Sequence, residues 1–276
     1  MHKSIGRSRM PCPIPNVTFL PMDATTLGYE RVGIGMRKVF ILNDWLCDTS
    51  TWKNACIYFD QARFSWAFTD LRGYGRSRER KGSFTITEAA GDVLGLADAL
   101  GWARFSVVGH SMSTYVAMHL GQCASDRLER IVLITPGPPR GFGADDAWLD
   151  NARAVARDDV QRARMVRERF AGRLSPAWGE YKTKQWLATS DPEAAAGYIA
   201  VYARDGLPSP DIDILVPVLA ITGEEDDPAM RKDAVLANLL PICKKLEVEA
   251  LVQSGHYPME EMPPLTASLV ERFLSA

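Results

Sequence analysis

The pentapeptide Gly109-His110-Ser111-Met112-Ser113 can carry nucleophilic chemistry. It follows the apolar run Phe105-Ser106-Val107-Val108 and precedes a helix-like segment over 114–120, so Ser111 falls at a sharp strand-to-helix turn. Such a turn lifts a hydroxyl clear of the sheet, near a helix N-terminus whose N–H groups favour developing negative charge. A neutral serine also needs a base within hydrogen-bond reach, normally a histidine. The chain has four: His2, His110, His119 and His256. His2 lies at the terminus, His110 is held within the turn, and His119 stands about two helical turns beyond the serine. His256 remains, in Ser254-Gly255-His256-Tyr257-Pro258, a loop that follows the strand-like stretch Leu246 to Val252 and is free to reach a sheet edge. A third group must orient the imidazole, and Gly223-Glu224-Glu225-Asp226-Asp227-Pro228 supplies four competing carboxylates. The bland alternatives are a serine in an inert tight turn and a structural loop histidine; the context of each residue favours the chemistry.

The elements around these residues alternate. Val39 to Leu42, Phe64 to Phe68, Phe105 to Val108, Ile131 to Ile134 and Val218 to Ile221 are short β-branched or aromatic runs that suit buried parallel strands. Thr87 to Leu100 places Ala90, Val93, Leu94 and Ala97 at helical spacing before Gly101. This order predicts an α/β, doubly wound, mostly parallel sheet. The alternation breaks after Pro136: residues 138–208 are rich in helix formers and read as a helical cap inserted between two core parts, 1–137 and 209–276. Within it, Ala163, Val166 and Phe170 share one helix face and read as ordinary packing.

Composition narrows the function. With 32 basic and 34 acidic side chains the net charge is −2, and no long single-sign run exists to track phosphates or an anionic membrane, so nucleic acid and membrane are poor partners. The cysteines, Cys12, Cys47, Cys56, Cys123 and Cys243, are scattered and never closely paired, which argues for reduced thiols and against a cysteine-held metal. No secretory signal and no run of about 18 apolar residues is found, so a cytoplasmic protein acting on a small-molecule substrate is expected. Nothing calls for a metal or an organic cofactor, and assembly as a homo-oligomer is left open.

With these residues in place the chain resembles the α/β-hydrolase superfamily, in particular its capped esterases, lactonases, cofactor-free haloperoxidases and C–C bond hydrolases. Two further stretches are similar to family loops: Asp70-Leu71-Arg72-Gly73-Tyr74-Gly75-Arg76-Ser77 and Gly255-His256-Tyr257-Pro258-Met259-Glu260-Glu261. The resemblance implies the α/β-hydrolase fold and a triad of Ser111, His256 and Asp226, with Asp227 the nearest rival for the acid. It also implies an oxyanion hole from the backbone N–H groups of Trp45 and Met112. Two positions depart from the pattern. Ser113 replaces the last glycine of the elbow, and Asn43-Asp44 stands where the family has His-Gly. Aspartate enters positive φ more readily than most residues, but Asp44 also brings a carboxylate near the oxyanion.

The implied reaction is acyl transfer to water, with esters and lactones leading. An acyltransferase, a perhydrolase, a C–C hydrolase, or a catalytically weak ligand-binding receptor would use the same residues. Asn43, Asp44, Trp148, Trp186 and Tyr257 are the expected pocket residues. The aromatics of 138–208 would either roof the pocket or staple the cap to the core.

Overall fold

The structure is a computed structural model and describes residues 17–18, 26–170 and 174–276. Its centre is one eight-stranded sheet in the spatial order β1-β2-β4-β3-β5-β6-β7-β8. The strands are β1 (Val17–Thr18), β2 (Tyr29–Val32), β3 (Arg37–Leu42), β4 (Phe64–Thr69), β5 (Phe105–His110), β6 (Leu128–Ile134), β7 (Val218–Gly223) and β8 (Leu246–Leu251). β1, β2 and β4 pair antiparallel, and every other pairing is parallel. All residues of β4, β5 and β7 are buried, as expected of strands covered on both faces.

Ten helices are found among the described residues: α1 (Lys53–Cys56), α2 (Ile86–Ala99), α3 (Ser113–Cys123), α4 (Asp146–Arg157), α5 (Asp159–Phe170), α6 (Pro176–Thr189), α7 (Pro192–Ala200), α8 (Lys232–Leu239), α9 (Pro258–Glu261) and α10 (Pro263–Ser275). α2 shows why the local sequence folds this way. The Thr85 hydroxyl accepts from Glu88 N–H at 3.2 Å, Ala90, Val93 and Ala97 are buried, and Gly101 in the left-handed region stops it. α4 to α7 follow one another between β6 and β7, in the span expected to be helical. The side chains of Val166 and Phe170, and all of His2 and Cys12, lie outside the described residues. The four described cysteines are free thiols, and no helix among the described residues is long and apolar enough to cross a membrane.

The strand order places the site. β3 pairs with β4 on one side and β5 on the other, so chain direction across the sheet reverses there and leaves a crevice beyond the carboxyl ends of β3 and β5. Residues 43–45 leave β3 and residues 111–112 leave β5 at that crevice; the turns after β7 and β8 add Asp226 and His256.

Candidate active site

The turn after β5 is tightly held. Ser111 has φ +52°, a left-handed conformation that an L-residue adopts only under constraint, and its N–H donates to Ile134 C=O at 2.9 Å. Gly109 is required here, because a Cβ would lie 2.6 Å from the Ser113 carbonyl oxygen. Ser113, in place of the usual final glycine, braces the turn: its Oγ accepts from His110 N–H at 2.9 Å and donates to His110 C=O at 3.1 Å.

Ser111, His256 and Asp226 form one hydrogen-bonded chain. Ser111 Oγ is 2.9 Å from His256 Nε2, and His256 Nδ1 is 2.7 Å from Asp226 Oδ2. Asp226 is buried and its other oxygen accepts from Asp227 N–H at 2.8 Å, whereas Asp227 is exposed and caps a short 3-10 turn by accepting from Ala229 N–H. Glu224 and Glu225 are also exposed.

Neighbours fix the histidine loop on two sides. Glu261 accepts from Gly255 N–H at 2.7 Å and from Tyr257 N–H at 3.0 Å, clamping the residues on either side of His256. His110 Nε2 lies 2.7 Å from the His256 carbonyl oxygen, which assigns the proton to Nε2. Burial lowers the His110 pKa to about 4, so this imidazole stays neutral. Neither role was legible in the sequence, although the pair of glutamates after His256 marked the loop.

The backbone N–H groups of Trp45 and Met112, the expected oxyanion donors, converge on a protein atom. Both point at Asp44 Oδ1, at 2.6 and 3.3 Å. Tyr257 OH donates to Asp44 Oδ2 at 3.1 Å, and His256 Nε2 is 3.6 Å from that same oxygen. Asp44 does not have a positive φ; Leu46 does, at +66°. The aspartate is therefore not there for a backbone conformation that glycine would otherwise supply.

The cavity beside Ser111 is about 20 Å³, room for about one water. Asp44, Trp45, Met112, Tyr115, Trp186 and Tyr202 are among its walls. Of the five expected pocket residues, Asp44 and Trp186 line it. Asn43 is placed elsewhere, since its amide is spent on Thr69 C=O at 3.0 Å. Tyr257 is buried and bonded to Asp44, and Trp148, 48% exposed, borders other cavities that share Tyr202 with this one. The aromatics of 138–208 thus divide. Trp186 and Tyr202 face the cavity, while Tyr198 packs on Tyr74 and Phe84 of the core, at 5.5 Å between ring centroids in each case. Behind the site Lys182 Nζ of α6 pairs with Glu260 of α9 at 2.6 Å and lies 4.6 Å from the Tyr257 ring centroid. Burial raises the Glu260 pKa even beside that lysine. Asp44, His110 and His256 bring ligand-type atoms within 4.8 Å of one another, yet hydrogen bonds already engage both Asp44 oxygens and both His256 nitrogens.

Comparison with known proteins agrees with this architecture. The model of the alpha/beta hydrolase family matches residues 49–269. Among solved structures, the enol-lactonase from Burkholderia xenovorans LB400 is 26% identical with a TM-score of 0.73, covering 91% of this chain and 96% of that one. A thermophilic esterase from Thermogutta terrifontis is 24% identical with a TM-score of 0.76, over 90% and 93%. Among curated proteins, an acetyltransferase component of the acetoin cleaving system of Cupriavidus necator is 31% identical over 129 residues, 45% of this chain but only 32% of that protein's length.

Proposed function

The chain belongs to the alpha/beta hydrolase family, and on that premise we propose that this hydrolase cleaves an ester, lactone or related carbonyl bond of a small, partly hydrophobic molecule through an acyl-enzyme. The observation that carries the reading is the unbroken chain from Asp226 through His256 to Ser111. His256 Nε2 takes the Ser111 proton as Oγ attacks the carbonyl carbon, and Asp226 accepts from Nδ1–H and steadies the imidazolium. The oxyanion is held by the N–H groups of Trp45 and Met112, and the imidazolium returns its proton to the departing oxygen. Water then repeats the sequence on the acyl-serine and releases the acid.

The likeness to an enol-lactonase supports a carbonyl substrate of ester or lactone type. The aromatic walls Trp45, Tyr115, Trp186 and Tyr202 support a hydrophobic acyl or alcohol part. In this proposal the helices of residues 138–208 act as a cap.

A fluorophosphonate probe tests the reading. It should label the folded protein on the peptide containing Ser111, and the Ser111→Ala variant should take up none. Folded wild-type protein that resists labelling would contradict an activated serine and favour a ligand-binding protein that keeps the pocket.

A further inference from the structure

The cradle meant for a substrate oxygen is filled from within. Asp44 Oδ1 receives the two amide N–H groups that acyl transfer would aim at an oxyanion, at 2.6 and 3.3 Å. Tyr257 OH holds the second oxygen at 3.1 Å. The carboxylate is 3% exposed, and no lysine or arginine is among the described residues that line the cavity. Hydrogen bonds to a charged acceptor are roughly twice as strong as neutral ones, so a neutral ester carbonyl competes poorly for these donors. Space points the same way, because with Asp44 seated only about 20 Å³ remains beside Ser111. A carboxylate left in place would also repel the negative charge that forms on attack.

We propose that Asp44 is a resident occupant of the oxyanion cradle, which a substrate must displace before Ser111 can complete its attack. This rests on the serine-hydrolase reading above. Asp44 then sets the reactivity of the site: neutral esters react slowly, and substrates able to draw the carboxylate out of its seat are selected. Tyr257 is the positioning residue that holds the carboxylate there. Occupancy of the cradle gives an aspartate a role at a position whose backbone φ does not need one.

The test compares wild type with Asp44→Ala and Asp44→Asn. The readouts are the second-order rate of fluorophosphonate labelling, the inhibition constant of phenylboronic acid, whose tetrahedral serine adduct needs the cradle, and a thermal melt. One oxyanion donor is worth about 10²–10³ in rate, so Asp44→Ala should label at least about tenfold faster and bind the boronate tighter. Asp44→Asn should fall between, since an amide oxygen is a weaker acceptor than a carboxylate. If Asp44→Ala fails to fold, the isosteric asparagine variant decides by the direction of its change. Labelling of Ser111 in wild type with equal or slower labelling in both variants overturns the occupied cradle and leaves the serine reading standing. No labelling in any of the folded proteins overturns both.

Discussion

The two sides of His256 are built to opposite ends. On the Nδ1 side, the buried Asp226 at 2.7 Å and the clamped loop complete the hydrogen-bonded chain that, in the proposed mechanism, activates Ser111 for attack. On the Nε2 side, beyond Ser111, the groups that should receive the product of that attack are engaged by Asp44. In the proposed mechanism activation of the serine and stabilisation of the oxyanion share only the turn after β5: the turns after β7 and β8 serve the first and the turn after β3 the second, so the two can vary separately. A family likeness that rests on the triad says little about the cradle.

The comparison breaks most severely on the activating side. Ser111→Ala, His256→Ala and Asp226→Asn should each lower ester turnover by about three to six orders of magnitude with the melting temperature nearly unchanged, and double variants should add little. Asp227→Asn should stay near wild type. Loss of turnover in Asp227→Asn with activity kept in Asp226→Asn would move the acid to the exposed neighbour.

A stability effect follows from His110, which supports the activating side through the His256 carbonyl. Its pKa is about 4 in the folded protein against an ordinary 6.5, so between those values the folded state binds fewer protons than the unfolded one. Stability present above the ordinary value is lost as pH falls toward the lower one, by up to about 3 kcal/mol. His110→Gln can keep a donor toward His256 C=O without a titrating ring, so its melting temperature should drop less than that of wild type between pH 7 and 4.5. Parallel losses would remove His110 from the account.

The receiving side is sharpened by its walls. Trp186→Leu and Tyr202→Leu should reorder the preference among esters of increasing chain length by about 1–3 kcal/mol of transition-state binding. If kcat/KM falls equally for every ester and only stability changes, these rings are structural. Smallest of all, Tyr257→Phe removes one hydrogen bond from Asp44 and should raise the labelling rate of Ser111 by about 2–10-fold. A slower rate would mean that Tyr257 serves the nucleophile rather than the occupant.

These contrasts also mark what the chain reveals before folding. The central strands were legible because burial on both faces demands continuous apolar runs, as in Phe64–Thr69 and Val218–Gly223. Tyr29–Val32 was not, since this antiparallel strand near the sheet edge buries only Val32 and carries Glu30 and Arg31 between. Ser111 and His256 were legible from local turn chemistry. Asp226 and Asp227 could be separated only by the direction in which each side chain leaves the turn. A carboxylate near the oxyanion was foreseeable from Asp44; its seat within the cradle depends on Met112, Tyr257 and His256 arriving from distant segments. The Lys182–Glu260 pair joins α6 to α9 across 78 residues and leaves no local signal.

The most direct test of an acyl-enzyme at Ser111 is rapid-quench intact-mass spectrometry of the protein mixed with p-nitrophenyl butyrate. A butyryl group should add to the protein at Ser111 as p-nitrophenol is released, and be lost as butyrate leaves. Steady hydrolysis that survives in Ser111→Ala, with no acylated protein at any quench time, would contradict the acyl-enzyme.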